Sequence, residues 1–67
     1  MTPFDHMTCA IGSLLNDPID DPFGEFPRGV CIYCGVHDGT IRFFYHTGNM
    51  RHALPSNIDG MMLELIE

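Results

Sequence analysis

The sequence predicts a small α+β domain: an N-terminal helix, an acidic loop, a two-stranded antiparallel β-hairpin and a C-terminal helix, forming one unit over residues 1–67. Three observations carry that expectation. Apolar residues near the N-terminus recur at helical spacing. An Asp38-Gly39 pair separates two segments rich in β-branched and aromatic residues. Helical spacing then returns near the C-terminus with Ile58, Met61, Met62 and Leu65. A chain of 67 residues is about half a usual domain, so its core is thin. At this size folding buries roughly 60% of the surface of the unfolded chain.

Thr2-Pro3-Phe4-Asp5 reads as a helix start: threonine caps, proline suits the first turn, and Asp5 favours the positive end of the helix. Phe4, Met7, Ile11, Leu14 and Leu15 form one narrow stripe, with His6, Cys9, Ser13 and Asn16 opposite. Asn16-Asp17-Pro18 ends the helix. Residues 16–29 read as a loop with Pro18, Pro22, Pro27, Gly24, Gly29 and four acids. Phe23 and Phe26 are expected to pin it to the core.

The Asp38-Gly39 turn sets a register for residues 30–46. It pairs His37 with Thr40, Val36 with Ile41, Cys34 with Phe43, Ile32 with Tyr45 and Cys31 with His46. Alternation puts Ile32, Cys34, Val36, Ile41, Phe43 and Tyr45 on a core face. Cys31, Tyr33, Gly35, His37, Arg42, Phe44 and His46 make a mixed second face, whose two aromatics need partial cover. Thr47-Gly48-Asn49 breaks the strand, and residues 50–54 are expected to make a short helical turn. Ser56 and Asp59 then resemble a capping box for the last helix, which Gly60 weakens by up to ~1 kcal/mol relative to alanine. A strand over residues 61–66 is the alternative there. A lone hairpin is marginal in water, so the helices must cover its apolar face. Two open strand edges over a thin core suit a homodimer.

Hydrophobic content of 45% and a mean hydropathy of +0.04 exclude a polar disordered chain. No apolar run approaches the ~20 residues of a membrane span, and no basic start precedes an apolar stretch as in a signal peptide. Nine acids face three arginines and no lysine, for a net charge of −6. Asp5, Asp17, Asp20, Asp21 and Glu25 fall within residues 1–27 with no Lys or Arg among them. Such a chain repels phosphate, so direct nucleic-acid binding and anionic membranes are disfavoured. A basic protein surface is the natural partner. Protonating all four histidines would bring −6 to −2. Three cysteines without a secretion signal predict a cytoplasmic protein with reduced thiols or a metal site.

Cys31-Ile32-Tyr33-Cys34-Gly35 resembles the knuckle of zinc-ribbon proteins, over five residues of the 67. The resemblance implies a zinc ion held by Cys31 and Cys34, with further ligands from His46 and His52, from His6 and Cys9, or from His37. The spacing Cys31-x2-Cys34-x11-His46-x5-His52 approaches that of a two-Cys, two-His finger. In a regular strand, by contrast, residues 31 and 34 point to opposite faces, with Cys34 in the core and Cys31 beside His46.

The residues predict a non-enzyme. A Cys31–His46 pair lacks a third positioned group and an oxyanion site. Asp17, Asp20, Asp21 and Glu25 lack the alternation of a calcium loop, and there is no phosphate-cradling glycine motif. The expected function is a small acidic binding module that occupies a basic, nucleic-acid-handling surface of a larger protein. Asp17, Asp20, Asp21 and Glu25 would stand where phosphates normally sit. In size, acidity and lack of catalytic groups the chain is similar to the small inhibitors that phages make against host enzymes and defence systems. A zinc-stabilised module is the second reading. A subunit whose hairpin edge completes a partner's sheet is the third.

Overall fold

Asp38 and Gly39 take left-handed φ angles of 51° and 76°, as a two-residue hairpin turn requires. They join β2 (Gly29–His37) to β3 (Thr40–Tyr45) in the computed structural model, which describes residues 2–18 and 29–66. His37 pairs with Thr40 and Val36 with Ile41, as the turn dictates. Beyond that point the register departs from the expected one. Cys34 and Gly35 together face the single residue Arg42, and Tyr33 pairs with Phe43, Ile32 with Phe44 and Cys31 with Tyr45. This is a β-bulge, and Gly35 sits in it at φ +93°, a conformation that favours glycine. One extra residue turns the preceding part of the strand over. Cys31 and Tyr33 therefore enter the core, Ile32 is exposed and Cys34 is half-buried; Val36, beyond the bulge and paired with Ile41 as expected, is nevertheless exposed near the hairpin turn. The expected faces hold for β3, where Ile41, Phe43 and Tyr45 are buried, and are reversed for Cys31 to Cys34 of β2.

The expected helix–loop–hairpin–helix domain is not what forms. The described residues make a five-stranded antiparallel sheet in the order β4-β3-β2-β1-β5, with one short helix. Leu14 and Leu15 belong to β1 (Leu14–Asp17), which pairs with β2, so both edges of the hairpin are occupied rather than open. Residues 50–53 are β4 (Met50–Ala53) rather than a helical turn. Gly48, at φ +92°, turns β3 back into it, with the Tyr45 amide donating to the Asn49 carbonyl at 2.8 Å.

In place of the N-terminal helix, residues 5–8 form one turn, closed by the Cys9 amide donating to the Asp5 carbonyl at 2.9 Å. The Asp5 carboxylate also accepts from the Met7 amide. The helical stripe is not buried as a stripe: Phe4 and Leu15 are inside, whereas Met7, Ile11 and Leu14 are exposed. A helix this short has little stability of its own, so tertiary pairing decides the conformation. Gly12 at φ +95° turns the chain into β1 instead.

The C-terminal helix is likewise reduced. A 3-10 turn (Pro55–Asn57) leads into α1 (Ile58–Met61), capped by Met62 in the left-handed conformation at φ 53°. Ser56 makes no capping hydrogen bond, because the helix N-cap is Asn57. The chain continues as β5 (Glu64–Leu65), whose outer edge meets Pro3. The Phe4 amide donates to the Leu63 carbonyl at 2.9 Å, and the Leu65 amide to the Thr2 carbonyl at 2.7 Å.

One face of the sheet is the core. Leu15, Cys31, Tyr33, Ile41, Phe43, Tyr45 and Ala53 are buried there beneath Phe4, Ile58, Met61 and Leu63. The Phe4 ring stands edge-on to Tyr33 and Phe43, with centroids 5.1 and 5.5 Å away, a favourable aromatic geometry. No helix among the described residues is long and apolar enough to cross a membrane.

Candidate functional site

Among the described residues, one carboxylate lies on the inward face. Asp17 follows Leu15 by two positions on β1, so strand alternation turns both into the core, and Asp17 is 1% exposed. The Tyr45 hydroxyl donates to Asp17 Oδ2 at 2.6 Å, and Arg51 Nη1 lies 3.4 Å from the same oxygen. The three residues come from β1, β3 and β4, so this tie spans β2 and four of the five strands. Buried charges require such partners.

Cys31 lies between this group and the rest of the core, paired with Leu15 on one side and Tyr45 on the other. Burial, reinforced by the Asp17 charge, pushes its thiol up from 9.0 to about 12. Burial and the hydrogen bond to Asp17 also raise the Tyr45 phenol. A thiol held protonated is a poor nucleophile. The arrangement ties strands together and offers no activated nucleophile.

The expected contact set divides. Asp17 is not a surface contact residue, since its carboxylate is enclosed and engaged within the chain. Asp20, Asp21 and Glu25 lie outside the described residues, as do Phe23 and Phe26.

The four expected zinc ligands are spread over the sheet. Cys31 faces the core, and Cys34 occupies the bulge, 3.5 Å from the Ile32 carbonyl. His52 is opposite Arg42 on the other face. His46 lies against Gly29, where a Cβ would stand 3.0 Å from its Nε2. Of the other ligand sources, Cys9 packs at the core margin and the His6 carbonyl accepts from the Tyr33 hydroxyl at 3.4 Å. Among the described residues no three of His, Cys, Asp and Glu come together.

The outward face is the feature that sequence reasoning missed. Leu14, Ile32, Phe44 and Met50 are consecutive partners across β1, β2, β3 and β4. Ile66 extends the row beside Leu14, to whose carbonyl its amide donates at 3.0 Å. Val30 lies in the neighbouring row, opposite Asn16. These six apolar side chains are 39 to 50% exposed. Between them runs a groove of about 190 Å³, lined by Leu14, Val30, Ile32, Phe44, His46 and Gly48. Polar residues on this face include His46, which lines the groove, and Asn16, Glu64, Arg42 and His52, each two positions along its strand from one of the six or opposite one. A signal for this face existed in the sequence: Phe44 already fell on the face opposite the core in the simple hairpin.

Compared with protein families, characterised proteins and solved structures, the chain matches none.

Proposed function

We propose that this chain is a small acidic, non-enzymatic, cytoplasmic binding protein that occupies a basic, nucleic-acid-handling surface of a larger protein. The observation that carries this reading is where its few positive charges go. Arg51 is committed to the buried Asp17, and Arg42 lies 3.9 Å from Asp38. Neither is left to offset the acids that make the net charge −6. Asp5 and Asp59 are exposed, and Asp20, Asp21 and Glu25 supply the densest cluster in the sequence.

With Asp17 inside, the contact falls to Asp20, Asp21 and Glu25. Their carboxylates would accept charge-assisted hydrogen bonds from Arg and Lys side chains that otherwise hold phosphate. Long-range attraction would speed the encounter and weaken as salt rises.

The test is affinity capture with tagged protein at low and at high salt, beside a variant carrying Asp20→Asn, Asp21→Asn and Glu25→Gln. The expected result is a basic partner held at low salt, displaced by nucleic acid, and lost in the variant. Retention by the variant with unchanged salt sensitivity overturns the proposal.

A further inference from the structure

Val30 lines the outward groove and directly follows Gly29, where residues 18–28 rejoin the sheet. The groove therefore borders the acids of the proposed contact. Resting on the reading of this chain as a binder of a basic protein surface, we propose that the groove seats one arginine side chain of that partner. Leu14, Val30, Ile32 and Phe44 cover its stem, and the Glu64 carboxylate receives its guanidinium.

Size and lining select a single long side chain. At about 190 Å³ the groove is smaller than the ~300–1,000 Å³ of small-molecule sites. No Lys, Arg, Asp or Glu stands among its described lining residues. Such a lining suits the methylenes of a cationic side chain, which buries its stem while its head reaches polar groups. Phe44 favours arginine over lysine, because a planar, weakly hydrated guanidinium stacks on an aromatic face.

The countercharge comes from β5. Glu64 pairs with Asn16 and turns outward with it. Leu14 is two positions from Asn16 on β1, so Glu64 is its diagonal cross-strand neighbour at ~7–8 Å, within reach of a long side chain. Asn16 stands between Val30 and Glu64 in the same row, and its amide oxygen accepts hydrogen bonds. Among the described residues the ion pairs are Arg42–Asp38 and Arg51–Asp17, which leaves the Glu64 carboxylate without an internal cation. Asp38 also draws Arg42 toward the hairpin turn, away from the groove. Those two pairs make a second copy a poor donor, since the chain has no lysine.

The test is titration of the isotope-labelled full chain with a nona-arginine peptide, beside a nona-lysine peptide of equal charge. The arginine peptide is expected to bind more tightly. It should shift the methyl signals of Leu14, Val30 and Ile32 and the ring signals of Phe44, while Ile11, exposed beside Gly35, is unmoved. Glu64→Gln is expected to weaken this binding at least ~tenfold, as loss of a charge-assisted hydrogen bond does. Asp59→Asn, an equal loss of charge on exposed α1, should change it less than ~twofold. Val30→Lys, which fills the groove with the chain's own cation, should abolish the groove shifts while the far-ultraviolet spectrum stays native. Equal binding of the two peptides without groove shifts, or equal losses in Glu64→Gln and Asp59→Asn, means attraction by net charge alone and overturns the arginine seat. In affinity capture, a basic partner held equally by wild type, Glu64→Gln and Val30→Lys overturns the seat and leaves the acidic contact standing. Absence of any basic partner overturns both.

Discussion

The Tyr45 hydroxyl and the Asp17 carboxylate, 28 residues apart in the chain, meet at 2.6 Å inside the sheet. Arg51 approaches the same oxygen at 3.4 Å. A carboxylate that reads as a loop acid in the sequence is therefore a core residue. Removing one member of a buried charged group costs far more than the group itself contributes, because the others stay desolvated.

Asp17→Ala is accordingly expected to destabilise the fold by about 3–5 kcal/mol. Tyr45→Phe should cost about 1–3 kcal/mol, leaving an acceptor short of its donor. The combined variant should fall short of the sum, since the two residues share one interaction. Urea unfolding of the four proteins measures this. An Asp17→Ala midpoint equal to wild type would remove Asp17 from the core.

Gly35 carries the bulge at φ +93°, and a Cβ there would stand 3.0 Å from the Ile11 Cδ1. Gly35→Ala should therefore cost at least the ~1–2 kcal/mol of a left-handed non-glycine residue. At Gly39, φ is +76° and no atom lies within 4 Å of a Cβ. Gly39→Asn should be nearly neutral, because asparagine tolerates this region. Thermal unfolding that ranks the two substitutions the other way would contradict the bulge.

The thiols should separate by reactivity. Cys9 and Cys34 are half-buried and Cys31 is buried, so a thiol reagent should modify the first two in the native protein and Cys31 only on unfolding.

Cys31 also makes stability depend on alkaline pH. Its folded pKa of about 12 exceeds the ordinary thiol value of 9.0, so the folded state holds this proton more tightly than the unfolded state. Below pH 9 both states are protonated and the contribution is complete. From pH 9 upward the unfolded chain loses the proton first, and stability declines toward the folded pKa by up to ~1.4 kcal/mol per pH unit. Tyr45, also raised, acts in the same direction above pH 10. Urea midpoints at pH 8, 9 and 10 should fall in that order, and Cys31→Ala should shallow the slope.

Metal removal tests the zinc reading. With Cys31 facing the core and His52 on the opposite face, the urea midpoint should be the same with and without a chelator. A large drop on chelation, with one zinc per chain in the native mass, would restore the knuckle.

Much of β2 and β3 was legible locally. The Asp38-Gly39 turn, the first two pairs beyond it and the buried set Ile41, Phe43 and Tyr45 follow from turn chemistry and alternation. Gly48 marked the end of β3 for the same local reason. The reversal at Cys31 to Cys34 was not legible, because a glycine inside a strand pattern is compatible with both a regular ladder and a bulge. Residues 4–15 misled because one turn followed by the four-residue β1 carries too few side chains to show a period. The same apolar positions satisfy a helical template by chance. Asp17 reads as a solvated acid because its partners are remote in sequence.

Composition alone determined that this is an acidic chain with a thin core and no lysine, and local chemistry determined one hairpin within it. Both are properties of single residues or of neighbours in the chain. Tertiary structure decided the rest. It set which face of β2 is buried, made Asp17 a core residue, drew residues 14–17 and 50–53 into the sheet, and left a row of apolar side chains facing outward. The physical reason is that strand pairing is non-local. A strand gains its hydrogen bonds and its buried face from segments tens of residues away, so neither its existence nor its orientation is written in its own residues.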